Sequence, residues 1–429
     1  MRPGRARRLV RSLPGGERER GPALLALLAT TVAALLARLL FLGWRIAHQD
    51  EARVAGWTLH YMQTGVWEYR PIIHGPFLPH TTSVVFALLG PSDFTMRLLV
   101  AVVGGLLPLS AWLFRERLRD SAVVALGLLL AFNPLLLYYS RFFRNDVLTA
   151  AFMLVTVGLG VRALDTGKRR YLAAATFTFA LAFTTKELAL LYPAAWVGAA
   201  FLVADQRLVR AVSTGGDWVD TIVGSLRERV DDDTLRRWVP ALLLAPVEFF
   251  AVVVFFYAPR TDGLPKPGFW KAFTHPAMWP PVITEATWGT WTKFVGQWGT
   301  SADHAYLPYF FEFGKDLATG SIPVLAFAAL GFLVDRYAND RSNALVAFCF
   351  YWGAASLVGY PLAADNAFPW EMVHVVVPFT IPAAVGLALV YRQGVRGVVT
   401  DDRVAAGAAA VLLVLTAGYT GFVAYDTSF

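Results

Sequence analysis

The chain has 429 residues, of which 56% are hydrophobic, 14% aromatic and only 16% charged, with a mean hydropathy of +0.49. Globular soluble chains are roughly 45–50% apolar and about 25% charged, so a soluble or disordered protein is excluded. The net charge of +7 would suit a nucleic-acid partner, but in a membrane chain basic residues first mark the cytoplasmic loops, and no nucleic acid is expected. The single cysteine, Cys349, excludes an internal disulfide and a cysteine-based metal site. Its apolar neighbours read as packing.

A helix that crosses a bilayer needs roughly 20 mostly apolar residues. The first such run is 22–43, behind a tail with seven arginines. It is too long for a signal-peptide core and lacks a small-residue cleavage site, so an uncleaved span with a cytoplasmic N-terminus is expected. Further runs follow at 97–114, 121–139, 146–163, 171–185, 187–204, 239–258, 320–334, 343–362, 372–391 and 404–424, giving about eleven spans. The run 77–90 is shorter and opens with polar residues. If it crossed, the loop Arg115-Glu116-Arg117-Leu118-Arg119 would face outward. With it left out, the inner segments hold 25 of the 38 lysines and arginines and the outer segments 11, the bias that cytoplasmic loops show. Residues 51–96 are therefore expected to be external and re-entrant or surface-lying, with the C-terminus outside. The inner loop 205–238 is too short and too mixed in charge to be a catalytic domain.

Four polar clusters fall on the outer side, each at a helix end. They are His48-Gln49-Asp50-Glu51, Tyr69 to Pro76 (with Arg70 and His74), Tyr138 to Asp146, and Thr184-Thr185-Lys186-Glu187. Ionisable groups near hydrocarbon are costly and tend to face a polar cavity. A plainer role exists for each, since charges at span ends also anchor and snorkel. Two adjacent carboxylates gain little from anchoring and repel unless a cation or proton intervenes. Arg141, Arg144 and Lys186 make a cationic patch opposite Asp50, Glu51 and Asp146. Cations suit a phosphate, and a carboxylate suits a general base for a hydroxyl. Together, beside lipid, they suggest a phosphorylated lipid reacting with something polar. In the loop 259–319, five tryptophans, His304 and Asp303 fit either an interface belt or a sugar-stacking surface. Trp370 and His374, four residues apart, share a helix face.

In these motifs the chain resembles the GT-C membrane glycosyltransferases, within them the protein O-mannosyltransferase and aminoarabinose lipid A transferase branch. The resemblance rests on an acidic pair after the first helix (Asp50, Glu51), a His-Pro-Pro-like element (His74-Gly75-Pro76, with glycine in the middle), a Ser-Arg…Asp element (Ser140, Arg141, Asp146) and a Lys-Glu turn (Lys186, Glu187). More narrowly, WEYRPIIHGPFLPH, YYSRFFRND, TTKE and FPWEMVH resemble an archaeal family of flippase-activity-associated membrane proteins linked to protein N-glycosylation. The Trp-Trp-Asp-Tyr-Gly signature of oligosaccharyltransferases is absent.

The resemblance implies an all-α polytopic membrane protein with a GT-C-like helical bundle and surface-lying helices after the first span. Its parts would be a basic tail (1–21), a catalytic membrane module (22–204, with external segment 44–96), a cytoplasmic loop (205–238) and a C-terminal membrane module (239–429, with external loop 259–319). It implies transfer of a sugar from a polyprenyl phosphate to a glycan or protein acceptor, with inversion, at the outer face of the plasma membrane. Asp50 and Glu51 would be catalytic, with Asp50 taking the acceptor's proton. Arg141, Arg144, Lys186, His74 and His374 would contact the phosphate. Asp146 and Glu187 would orient the acceptor or a cation, and Trp370 and Tyr139 would stack on substrate. No cofactor is required, although Asp50, Glu51 and Asp146 are oxygen ligands of the kind Mg²⁺ or Mn²⁺ accepts. The alternative is a protein that binds a lipid-linked sugar and assists its flipping without chemistry. An ion-coupled transporter fits less well, because its ionisable residues would lie near the bilayer midplane.

Overall fold

The structure is a computed structural model and describes residues 20–213, 232–261, 268–299, 304–338, 342–364 and 367–428. The arginine-rich tail at 1–19, the 214–231 part of the inner loop and Asp303 lie outside the described residues. The described chain is helical, with one isolated antiparallel bridge between Trp67 and Arg260. Nine of its helices are long and apolar enough to cross a bilayer.

Helix α1 (Gly21–Leu39) is followed by α2 (Gln49–Thr64) and α3 (Phe77–Leu89). The next crossing helix, α4 (Asp93–Leu106), runs on as tighter turns to Phe114. Both ends of α3 lie at one end of the bundle. At its start the Gly75 N–H donates to the Thr185 carbonyl at 3.0 Å. Just past its end, Arg97 of α4 grips Glu51 of α2. The 77–90 run therefore lies along that end and does not cross.

The run expected as one span at 121–139 is broken into α5 (Asp120–Phe132) and α6 (Pro134–Tyr139). Pro134 cannot donate to the helix ladder, and the Asn133 side chain caps the new helix by accepting from the Leu136 N–H at 3.1 Å. The carbonyls freed at the end of α5 are taken by Arg38, fully buried in α1, which donates to Ala131 at 2.8 Å and Leu130 at 3.3 Å. Helices α7 (Asp146–Thr166) and α8 (Arg169–Thr185) pack as a hairpin, and α9 (Leu191–Ser213) and α10 (Asp232–Tyr257) follow. The short helices α11 (Phe269–Thr274), α12 (Trp279–Thr284) and α13 (Thr290–Trp298) occupy the long loop.

Helix α14 (Tyr306–Tyr337) is longer than the expected 320–334 span, so the last part of the 259–319 loop is helical. It kinks at Ser321 (φ −149°, ψ 24°), two residues before Pro323. Helix α15 (Ala344–Ala363), the central α16 (Val373–Val399) and α17 (Arg403–Ser428) complete the bundle. Helices α14 and α16 touch backbone to backbone: a Cβ on Gly331 would lie 2.0 Å from the Pro382 carbonyl oxygen, and one on Gly386 2.2 Å from that of Phe327. Small residues permit this approach between membrane helices.

Contacts sort the connections into two ends. At one end Arg20 and Arg162 meet Glu116, Arg117 meets Asp165, Asn343 bonds the Arg117 carbonyl and Arg392 bonds Ser121. At the other end the segments holding Glu51, Arg97, Phe143, Lys186 and Glu371 converge. These are the two sets of segments that the basic residues distinguish in the sequence.

Candidate active site

The site is built on the N-terminus of α2. His48 caps it, its Nδ1 accepting from the Asp50 N–H at 3.2 Å, while Glu51 reaches back to the His48 N–H at 3.0 Å. Such a reciprocal box satisfies two otherwise orphaned donors. Consecutive helical residues do not share a face, so the adjacent acids part company.

Glu51 turns inward and is fully buried. Arg97 holds it with two bonds (Nε to Oε1 at 2.8 Å, Nη2 to Oε2 at 2.9 Å), and the Phe143 N–H and Arg45 Nη2 add further bonds at 2.8 and 3.1 Å. Burial alone would raise its carboxyl, but the Arg97 bond, the two backbone N–H groups and Arg45 outweigh that and hold it below the ordinary glutamate value. It faces no cavity.

Asp50 turns the other way and lines a cavity of about 270 Å³, together with Arg53, His74, Arg144, Lys186 and Trp370 among others. Its Oδ2 accepts from Arg144 Nη1 at 2.5 Å and its Oδ1 from Arg53 Nη1 at 3.1 Å. The Arg144 guanidinium lies 3.9 Å from the centroid of the Trp370 ring, a cation–π contact. Trp370 is stacked in turn on Phe142 and Phe368.

Behind this wall lies a buried polar layer. Lys186 Nζ donates to Asp146 Oδ1 at 2.6 Å, and His374 Nε2 sits 3.3 Å from the same oxygen. His374 is also bonded to the Tyr192 hydroxyl through Nδ1 at 2.6 Å and stacked on Tyr360. Asp146 thus fixes Lys186, whose ammonium reaches the cavity 3.9 Å from Glu371 Oε1.

The structure brings Asp50, His74, Arg144, Lys186 and Trp370 together. It does not bring Glu51, Asp146, Glu187 or His374 to the cavity surface; each is buried behind it with protein partners. Arg141 is turned away as well: it donates to the Ala37 carbonyl at 2.6 Å and stabilises the end of α1. Of the residues expected to contact the phosphate, Arg141 and His374 do not line the cavity. Tyr139 lines a separate apolar groove of about 370 Å³ with Leu135, Tyr138, Pro369 and Met372. Nor do the carboxylates form a metal cage: among the described residues no three His, Cys, Asp or Glu side chains gather to hold an ion. Sequence reasoning missed Arg53 and Glu371 as cavity residues and had Trp298 only as one of the five tryptophans of the 259–319 loop. Arg53 carried a signal, three residues after Asp50 on a helix. Glu371 carried one too, as the acid inside FPWEMVH. Trp298 comes from a distant helix, and nothing in the sequence set it apart from the other four tryptophans of its loop.

Residues 73–226 match the family model described as dolichyl-phosphate-mannose-protein mannosyltransferase. No curated protein matches the chain in sequence. The crystal structure of ArnT from Cupriavidus metallidurans bound to undecaprenyl phosphate superposes with a TM-score of 0.58 at 17% identity, over 92% of this chain and 73% of that one. The apo oligosaccharyltransferase of Archaeoglobus fulgidus gives 0.56 at 15% identity, over 95% of this chain and 56% of that one. The same organism's AglB in complex with an inhibitory peptide and a dolichol-phosphate gives 0.54 at 15% identity. The chain spans little more than half the length of these archaeal enzymes. A mostly helical bundle of this length, superposing on both kinds of enzyme, has the GT-C fold.

Proposed function

We propose that the protein is a membrane glycosyltransferase that moves a sugar from a polyprenyl-phosphate donor to a hydroxyl-bearing glycan or protein acceptor. The observation that carries this reading is a cavity in which one exposed carboxylate, Asp50, stands beside two cations, Arg144 and Lys186, that buried acids hold in place. Asp50 would take the acceptor's proton as its oxygen attacks the anomeric carbon, with inversion. Arg144 and Lys186 would hold the departing phosphate, which gains charge in the transition state. Trp370 backs Arg144, and the apolar groove beside Tyr139 and Met372 offers a course for the isoprenoid tail.

The matched family description names dolichyl-phosphate-mannose, and the ArnT and AglB structures contain undecaprenyl phosphate and dolichol-phosphate. These support a lipid-phosphate donor here. No step in this reading is routed through a divalent cation. Arginines already occupy both oxygens of Asp50, and Glu51 is enclosed. We place the end with Arg20, Glu116 and Arg117 in the cytoplasm of a plasma-membrane protein and the cavity outside.

The test uses the full chain in proteoliposomes with radiolabelled dolichyl phosphate mannose, reading mannose transferred or released to water. Asp50→Asn should lower turnover by about 10²–10⁴-fold, the contribution of a positioned base, with the melting temperature unchanged. Lys186→Ala should lose turnover as well. A flipping-associated carrier would need the cation and not the base, so full function in Asp50→Asn beside a defective Lys186→Ala would replace the transferase reading with that one.

A further inference from the structure

His74 has a polar partner at each ring nitrogen. Its Nδ1 lies 3.1 Å from Glu187 Oε2, and the other oxygen of Glu187 accepts from the Tyr69 hydroxyl at 2.5 Å. A carboxylate can only accept, so Nδ1 carries the proton and Nε2 presents a lone pair. Nε2 points at the cavity, 3.5 Å from Arg144 Nη2. The same guanidinium holds Asp50 through Nη1, so a phosphate bound to Arg144 would have Asp50 and His74 on either side. The Trp298 ring lies nearly parallel to the imidazole, with centroids 6.3 Å apart.

The backbone is bent to make this arrangement. His74 has φ 61° and ψ −156°, a region essentially reserved for glycine. The next residue is locked: a Cβ on Gly75 would stand 2.2 Å from the Thr184 carbonyl oxygen, while the Gly75 N–H bonds the Thr185 carbonyl. The 74–75 segment is thereby clamped to the 184–187 turn, and the clamp brings His74 onto Glu187. Strain of this kind collects at functional sites.

We propose that His74, held by Glu187, is the proton carrier of the transfer. This rests on the transferase reading above. The acceptor's O–H bond breaks, Asp50 takes the proton, and water in the cavity that both side chains line carries it on to Nε2 of His74. The oxygen bonds to the anomeric carbon as the bond from that carbon to the phosphate oxygen breaks, leaving the electron pair on the phosphate. The imidazolium, steadied by Glu187, returns the proton to the departing phosphate monoester, whose second pKa of about 6 makes it a fitting recipient. His74 is then a catalytic residue and Glu187 a positioning residue. The ionisable groups facing His74 are Glu187 and, around the cavity, Asp50, Arg53, Arg144, Lys186 and Glu371.

Turnover of dolichyl phosphate mannose by the full chain across pH 5 to 8.5, about the range a histidine titrates in, tests the proposal. His74→Gln should lower kcat about 10²-fold, leave KM unchanged and abolish one limb of the pH profile. Glu187→Gln should cost about tenfold and shift that limb. The double variant should be no slower than His74→Gln, because groups acting through one another do not add. A rise in KM alone, or additive losses, would overturn the carrier role and leave His74 as a plain phosphate contact. If His74→Gln does not fold, Glu187→Gln decides: reduced yield with an unmoved limb would count against the dyad. Wild-type protein without any turnover would overturn the transferase reading itself. Wild-type turnover matched by His74→Gln would overturn only the proton carrier.

Discussion

The two ends of the bundle use the same ionic chemistry to different effect. At the end with Arg20 and Arg117, each pair has a member near the surface: the Glu116 side chain is 40% exposed and that of Arg117 48%. At the other end, Glu51 and Arg97 are both fully enclosed. Exposed pairs are typically worth about 0–1 kcal/mol, whereas removing one partner of an enclosed pair strands a buried charge and costs about 3–5 kcal/mol. The first end is held by its apolar packing and merely decorated with charge. The second is specified by charge, because Glu51 ties α2, α4 and the 141–146 loop into one layer. The cavity carboxylate, Asp50, stands one residue from that knot. The protein thus keeps a reactive acid in place by making its neighbour inert.

The largest effect that would break this contrast is the loss of Arg97. Arg97→Ala should destabilise the full chain by about 3–5 kcal/mol, read as a lower melting temperature in detergent, and turnover should fall with folded protein. Glu51→Gln keeps the shape and some of the donors' partners, so its loss should be smaller. A melting temperature unchanged in both would mean that the layer is not held by this pair.

Acid sharpens the same contrast at intermediate size. The Glu51 carboxyl is held below its unfolded value, so the stability it lends is complete above about pH 4.3 and is lost as the pH falls through the folded value. Glu116 is held down to about 2 by the bonded Arg20 guanidinium, and its contribution fades in the same direction. Salt separates them: at about 1 M the Debye length is roughly 3 Å, which screens the surface pair and not the enclosed one. The drop in melting temperature between pH 5 and pH 3 should therefore persist in high salt and be much reduced in Glu51→Gln. A drop that salt abolishes would assign it to the surface acids.

Much of the fold was legible in the sequence because hydrophobic length and the arginine bias are strong signals for membrane helices. The break at Asn133 was written there as Asn-Pro, yet the apolar run hid it, since periodicity does not register one missing donor. Helix α14 outran its apolar core because Tyr306 to Thr319 is amphipathic. At the site, residue types and order identified the clusters, while depth did not follow from them. Arg141 and Arg144 look alike in YYSRFFRND, but the turn between α6 and α7 sends the first to the end of α1 and the second onto Trp370. His374 looked like a cavity residue for the same reason: its place at a span entrance could not show that Tyr192, Tyr360 and Asp146 enclose it.

The smallest predicted effect lies at the first end. Arg117 bonds Asp165 and is about half exposed, and Arg20 grips Glu116 at 2.6 and 2.9 Å. Arg117→Ala should change the melting temperature by the equivalent of at most about 1 kcal/mol and leave donor turnover unchanged, because no residue of this end reaches the cavity. What it should change is topology: with Arg117 and Arg20 both replaced, the basic bias that fixes orientation weakens. Protease accessibility of tags at 1–19 and at the C-terminus would read the fraction inserted the other way round. An inverted fraction with an intact melting temperature would show that charge at this end sets orientation and leaves the fold untouched. A large loss of stability with normal orientation would place both ends in the same class and remove the contrast.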